Sequence, residues 1–533
     1  MPEYLAPGVY TEEISTGPVP ITGVSTSTAG FVGLTERGPT TVRLVTSLRE
    51  FERWYGGPIE DSFLPHAAKG FFDNGGQRLF VARVTRPDAL RSAVSLATAD
   101  DPLVLEASGP GELDNRLFAR VQAPSRRNPA NPAVTDPQRF RLQLLYYSKD
   151  LPPGAFVDPL LRANLRDANR REPDVFEDWD DLSVDPLSDS YVLNVLQNSQ
   201  LVTVVAGTTP GLPEVNNTWT PFAGGTPGGD MTLAPFIGTE DPPAGLAGLR
   251  MIDEISLICV PDEVNATLIP EAAVRDGIRQ AVVTQCEELK DRFAVLQVDR
   301  NQGNADTIQP TLTSSYAALY YPWVRVLDTR TLDTILVPPG GHVTGIYAGT
   351  DILRGVHKAP ANVEVRGIVT RDLPGNRKPL EFLVNKRQQD ILNPRNVNVI
   401  RDFRADRRGI RVWGARTLSS DAQWRYVNVR RLFLFVEESI DEGVQWVVFE
   451  GNNEATWERV RRSIVNFLTS VWRSGALMGT RPEEAFFVRC DRTTMTQQEI
   501  DTGQLICFIG MAAVKPAEFV ILRYSHLTIE AEA

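Results

Sequence analysis

Hydrophobic and polar positions follow two periods along this chain, and each period predicts an element where it holds. TAGFVGLTERGP and TVRLVTSLREFERWYGG read as strand, loop, strand and short helix, and QRLFVARVT, after the stretch His66 to Asn74, reads as a further strand. Further along, ISLICV and FAVLQV are unbroken apolar runs of the length of strands covered on both faces. Between them, in PEAAVRDGIRQAVVTQCEELK, Val274, Ile278, Val282, Cys286 and Leu289 recur at steps of three or four residues, which lays one apolar stripe along a helix. Two short buried strands joined by such a helix predict a βαβ unit with parallel strands and a right-handed crossover. Near the C-terminus YVNVRRLFLFVEES, rich in β-formers, predicts a strand. NEATWERVRRSIVNFLTSVWRSG predicts a helix with Trp457, Val460, Ile464, Phe467, Leu468 and Val471 on its apolar face and Gly475 as its stop. Glu458, Arg459, Arg461, Arg462 and Arg473 fall largely off that face.

Both ends lie outside these periodic segments. Pro7-Gly8 makes a turn, Val9, Tyr10, Thr11, Glu12, Glu13 and Ile14 carry β-formers, and Gly17, Pro18 and Pro20 stop the run. The closing PAEFVILRYSHLTIEAEA, with Phe519, Val520, Ile521, Leu522 and Tyr524, is a second extended run. A lone strand of this length is unstable in water, so each arm is expected to pair with something. From about 96 to 245 the composition shifts to Pro, Asp, Asn and Gly, as in PSRRNPANPAVTDP and FAGGTPGGD, the pattern of a loop-rich surface insert that holds a strand at Phe140 to Tyr147. The expected fold class is therefore α/β and α+β multidomain. A discontinuous α/β core (21–95 and 246–375) carries an inserted β-rich, loop-heavy outer domain (96–245). A C-terminal α+β domain (376–515) follows, and extended arms close both ends (1–20 and 516–533).

With 533 residues the chain can bury several cores, and 42% hydrophobic with 23% charged residues argues against disorder or a fibrous repeat. A net charge of −12 repels phosphate backbones on average, and no nucleic-acid partner is expected. The start, MPEYLAPGVYTEEIS, has neither a basic nor an apolar leader region, and no apolar run is long enough to cross a bilayer, so cytoplasmic synthesis and no membrane insertion are expected. Cys259, Cys286, Cys490 and Cys507, and His66, His342, His357 and His526, form no metal-ligand spacing, and the cysteines are expected as packed thiols. No phosphate-binding loop, GxSxG or GxGxxG is present, and no cofactor, metal or catalytic residue is expected. Gly75-Gly76 and Gly340-Gly341 read as turns. Asp262 and Asp299 follow predicted parallel strands, where ligands often bind, yet acids there also begin loops and cap helices. The run 401-RDFRADRRGIR-411, with Arg416, Arg425, Arg430 and Arg431, either pairs with acids such as Asp402, Asp406, Glu437 and Glu438 or forms a face for an acidic partner.

Several stretches, taken in order, resemble the contractile tail sheath proteins of phages, tailocins and extracellular contractile injection systems. They are PGVYTEE, TAGFVGLTERGP, LVTSLREFERWYGG, VPPGGHVTGIYAGTDILRGVHKAPAN, LNPRNVNVIRDF, RGIRVWGARTLSSDAQWRYVNVRRL, FEGNNEATWERV, FLTSVWRSGALMGTRPEEAFFVRCD and GMAAVKPAEFVIL. The insert, 96–245, matches no such pattern. The resemblance implies a structural subunit rather than an enzyme. It implies a homo-oligomer in stacked rings, commonly six-membered, around an inner tube, with baseplate and terminator or cap proteins as further partners. It also implies terminal arms that add strands to neighbouring subunits, and contraction without nucleotide hydrolysis. Arg459, Arg461 and Arg462 are then candidates to face the tube, with pairing to Glu454 and Glu458 as the alternative. A baseplate or capsid component, or an α/β enzyme using Asp262 or Asp299, are the competing readings.

Overall fold

The protein is described by a computed structural model over residues 20–98, 101–114, 116–149, 151, 156–205, 211–519 and 521. Its described residues divide into two compact units. The first comprises described residues within Thr26–Leu353 and Pro360–Val427; the second comprises 20–25, Arg354–Ala359, 428–519 and 521.

The first unit is built on a nine-stranded sheet. In chain order its elements are β1 (Thr28–Leu34), β2 (Arg43–Val45), α1 (Leu48–Tyr55), α2 (Leu64–Asp73), β3 (Arg78–Val84), β4 (Leu257–Cys259), α3 (Ala272–Leu289), β5 (Phe293–Gln297), β6 (Ala317–Tyr321), α4 (Gly340–Arg354), β7 (Val363–Glu364), β8 (Val397–Asp402) and β9 (Ile410–Val412). The spatial order is β7-β9-β8-β6-β5-β4-β1-β3-β2. The strands from β3 across to β8 are all parallel, while β2, β9 and β7 add antiparallel edges. The predicted βαβ unit is present as β4, α3 and β5, with β4 and β5 parallel. All five residues of β5 are buried, as its unbroken apolar run requires of a strand covered on both faces. The stripe on α3 buries Ile278, Val282 and Cys286 in the same core as Ile258, Ala294 and Leu296 of the sheet.

Gly340 and Gly341 do not form a turn; they begin α4. Gly341, Gly345 and Gly349 lie four residues apart along α4 and bring it against α2. A Cβ on Gly341 would stand 2.4 Å from Ala67 Cα, one on Gly345 2.4 Å from the Phe71 carbonyl oxygen, and one on Gly349 2.6 Å from that of Asn74. The glycines are there for close helix approach, which a local reading cannot separate from turn chemistry. Gly75, with φ +103°, does sit in the turn after α2.

Within the stretch expected as an insert, the strands Leu117–Gln122, Arg139–Tyr146, Val175–Ser183 and Thr220–Pro221 form an antiparallel four-stranded sheet. Ala93–Leu96, Leu103–Ala107 and Val202–Val204 form a three-stranded one. They share a core of their own, including Leu105, Leu117, Phe140, Leu142 and Phe222. Met231 and Phe236, within the expected insert, belong instead to the core of the large sheet, as do Leu246 and Leu249 just after it. Residues 376–427, grouped by sequence with the C-terminal part, run with the first unit because β8 and β9 extend its sheet.

The second unit contains α5 (Val427–Val444), α6 (Glu454–Arg473) and the hairpin β10 (Phe486–Arg489) and β11 (Phe508–Met511). The segment YVNVRRLFLFVEES, expected as a strand, is part of the 18-residue helix α5. Leu432 and Val436, one helical turn apart, are buried with Val460, Ile464, Phe467, Leu468 and Val471 of α6. Packing of that stripe on the neighbouring helix outweighs the strand preference of its aromatic and β-branched residues.

Candidate functional sites

After β1 the chain continues to β3 on one side of it and later to β4 on the other, so the switch point at which open α/β sheets hold ligands lies between β1 and β4. Asp262 occupies it, in the single 3-10 turn Pro261–Val264 that follows β4, and is fully buried. Its Oδ1 accepts hydrogen bonds from the Phe63 backbone N–H (2.7 Å) and from Asn265 Nδ2 (3.2 Å), and its Oδ2 accepts one from Ser62 Oγ (2.7 Å). Phe63 immediately precedes α2, so the carboxyl group sits at that helix's N-terminus, the position an anionic ligand would take. Burial pushes its pKa up against the pull of those donors. Asn265 is itself buried and bonded to the Asp61 carbonyl oxygen.

Beside it Glu263 is fully buried, and its Oε1 accepts from the Gln297 backbone N–H and from Gln297 Nε2, both at 2.8 Å. Glu263 Oε2 and Gln297 Oε1 are buried without a hydrogen-bond partner. Burial pushes the Glu263 carboxyl up to about 7 against the attraction of Arg279. The neutral acid suits this place: an O–H from one orphaned oxygen to the other would complete an acid–amide pair with Gln297. Asp299 is held by Arg279 at 2.7 Å, and Arg279 also pairs with Asp276 at 2.9 Å. Arg279, Gln297 and Asp299 border a shallow cavity of about 140 Å³ with Thr307 and Gln302. Among the described residues no cluster of histidine, cysteine and acidic groups has the arrangement of a metal site, and no helix is long and apolar enough to cross a membrane.

The arginine run is engaged within the first unit. Arg404 pairs with Asp402 (2.6 Å) and Asp372 (2.8 Å). Arg408 lies 5.0 Å from the ring centre of Phe403 and 5.2 Å from that of Trp413, and Arg411 donates to the Asn362 carbonyl oxygen at 2.7 Å. Arg416 donates to that of Asn393 at 2.8 Å.

In the second unit α6 begins at Asn453, whose side chain accepts from the Thr456 N–H, and its apolar face buries the six residues expected from the pattern. Arg461 and Arg462 both bond Glu458, each at 2.7 Å, while Glu454 is taken by Arg492 at 2.9 Å. Two guanidinium groups on one carboxylate leave a positive charge in excess, and they hold Glu458 down to about 2, Arg461 first. Arg459 pairs with Glu450 at 3.2 Å and stacks over Trp446 at 4.8 Å.

Two features of this unit left no sign in the pattern. Among the described residues β10 and β11 form a sheet of two strands only, with Phe487, Phe508 and Ile509 exposed. The loop between α5 and α6 carries an exposed Val448 and a fully exposed Phe449. Of the terminal arms, Phe519 and Ile521 are 71% and 77% exposed, whereas Val9, Tyr10, Thr11, Glu12, Ile14, Val520, Leu522 and Tyr524 lie outside the described residues.

Residues 238–418 match the family model of the phage tail sheath protein central domain, and residues 419–525 that of the phage tail sheath C-terminal domain. A prophage major tail sheath protein of Pseudomonas aeruginosa is 26% identical over 246 residues, covering 45% of this chain and 60% of that protein. The tail sheath protein of Burkholderia phage BcepMu is 26% identical over 226 residues, covering 41% and 44%. These matches thus span less than two thirds of the relatives' length. Among solved structures, the helical sheath of the anti-feeding prophage in its contracted state has a TM-score of 0.58 at 24% identity, covering 98% of this chain and 99% of that one. The contracted sheath complex of the extracellular contractile injection system PVC gives 0.57 at 23%, covering 98% of both chains. The sheath tail protein of Listeria innocua gives 0.55 at 12%, covering 92% and 96%. These neighbours share the mixed α/β fold. With the central and C-terminal sheath domains following one another through more than half of its length, the chain belongs to the contractile tail sheath protein family.

Proposed function

We propose that this chain polymerises into a helical contractile sheath around an inner tube, and that contraction of the sheath drives the tube through a target envelope without nucleotide hydrolysis. The observation that carries the reading is the β10–β11 hairpin. Two strands alone are marginal in water, and this pair exposes Phe487, Phe508 and Ile509. It is a receiver for strands from the terminal arms, residues 1–20 and 516–533, of neighbouring copies, which would cover those side chains and satisfy the strand edges. Exposed Phe519 and Ile521 are apolar side chains suited to such pairing. Heterologous contacts of this kind generate an open helix rather than a closed dimer.

On this reading the subunits stack in six-membered rings, with baseplate and terminator proteins at the ends, assembled in the cytoplasm as part of a phage tail or tail-like particle. The region 96–245, with its own core and many loops, forms the outer domain, and α6 turns Arg459, Arg461 and Arg462 toward the tube. Two observations lend weight to a structural over a catalytic role. The sheet's ligand position is filled by the chain's own Asp262, and Asp299 is tied to Arg279. Negative-stain microscopy of the purified chain tests the reading: tubes of sheath should form, and deletion of residues 1–15 should leave a soluble, folded protein that forms none. Normal tubes from the truncated protein would remove the arms from the assembly mechanism.

A further inference from the structure

The loop joining α5 to α6 presents an aromatic side chain at a double cost. The Glu450 N–H bonds the Val447 carbonyl oxygen at 2.9 Å, closing a turn over residues 447–450. Val448 has φ −61° and ψ 126°, and Phe449 has φ +70°. These are the angles of a type II turn, in which the third position calls for glycine, yet phenylalanine stands there. A bulky residue in the left-handed region is a genuine outlier and destabilises the loop. Its ring is also fully exposed (103%), beside Val448 at 64%. Folding gains nothing from either feature. The loop is nevertheless held in place, because Arg459 of α6 pairs with Glu450 on one side of Phe449 and stacks over Trp446 on the other.

We propose that Phe449 is the apolar anchor by which the sheath holds its inner tube, inserting into an apolar pocket on the tube protein whose rim carries carboxylates. The proposal rests on the reading that the surface of α6 faces the tube, and it supplies what that surface lacks. Arg459, Arg461 and Arg462 are already paired with Glu450 and Glu458, so the charge left to offer a partner is small and screened by salt. An aromatic ring buried in a pocket is the usual carrier of binding energy at an interface and is insensitive to salt. Continuity decides the occupant: the residue that braces the loop, Arg459, is itself one of the tube-facing candidates. The excess positive charge around Glu458 favours an acidic rim.

The test is Phe449→Gly in full-length chain assembled with its tube, with Phe449→Leu as a second variant that keeps an apolar side chain. Thermal unfolding of the protomer should be unchanged or raised in the glycine variant, since the turn accepts glycine without strain. Sheath polymerisation should persist, and the tube-to-sheath ratio in particles washed at high salt should fall about tenfold, a loss of one ordinary anchor contact. The leucine variant should keep most of its tube. Unchanged tube retention by the glycine variant overturns the proposal. So does loss of polymerisation by a folded glycine variant, which would give the anchor to a second copy of this chain. If Arg459→Glu with Arg462→Glu leaves tube retention intact while Phe449→Gly abolishes it, the cationic reading of α6 fails and the anchor stands.

Discussion

Replacing Glu263 by Gln should stabilise the protein at alkaline pH, and the size of the effect follows from its burial. The carboxyl is fully enclosed, offers Oε1 to both Gln297 donors and leaves Oε2 unpartnered. Its pKa in the fold is raised to about 7 from the ordinary glutamate value of 4.5. Below the unfolded value both states hold the proton and the group contributes nothing to pH dependence. Between 4.5 and about 7 the unfolded chain releases its proton while the fold keeps it, so stability falls as pH rises. Above that window both states are ionised and the full penalty is present, about 3 kcal/mol. Gln at 263 cannot ionise, and its amide can donate to the orphaned Gln297 Oε1 while still accepting from Gln297. Urea unfolding of wild type and Glu263→Gln at pH 4 and pH 8, with hydrogen exchange of the β4 and β5 amides to localise the effect, measures the difference. The variant should be about 2–3 kcal/mol more stable at pH 8 and nearly equal to wild type at pH 4. A difference independent of pH, or a variant less stable at pH 8, would refute the argument that desolvation governs this carboxyl.

Gly341→Ala forces a Cβ to 2.4 Å from Ala67 Cα and should lower stability by about 1–3 kcal/mol. Gly57→Ala, where nothing stands within 4 Å of the new methyl, should be nearly neutral in the same thermal melt. Arg459→Glu with Arg462→Glu should give sheath that polymerises but copurifies with less tube, most visibly at low salt, where each exposed pair is worth about 0.2–1 kcal/mol; equal tube content at low ionic strength would take these arginines out of the contact with the tube. Limited proteolysis of assembled sheath should cut first within 96–245, and protection there with cleavage elsewhere would count against an outward position for that region.

Much of the first unit was legible in the sequence because its signals are local. The buried runs of β1, β3, β4 and β5 and the stripe on α3 each state a period within a short window, and the apolar face of α6 is read off six positions. Where a residue's role depends on a partner far along the chain, the sequence offered a choice without deciding it. Asp262 could open a ligand site or cap a helix; only the fold brings the Phe63 N–H and Ser62, some 200 residues earlier, against its carboxyl. The acidic and basic residues of the arginine run could pair inwardly or face outward until Asp372, Asn362 and Trp413 were placed around them. Gly340-Gly341 announced a turn because glycine's local meaning is conformational, whereas its role here is the absence of a side chain, at Gly341 against α2 and at Gly340 against Gln297 and Cys259. In α5 Leu432 and Val436 are buried against α6, with Phe435 packed beside them, and burial on a neighbouring helix outweighs a propensity difference of about 1 kcal/mol. Phe449 was beyond reach altogether. A phenylalanine in a sequence carries no mark of a left-handed backbone or of a ring turned to water, since both are set by the turn that α5 and α6 impose on the loop between them.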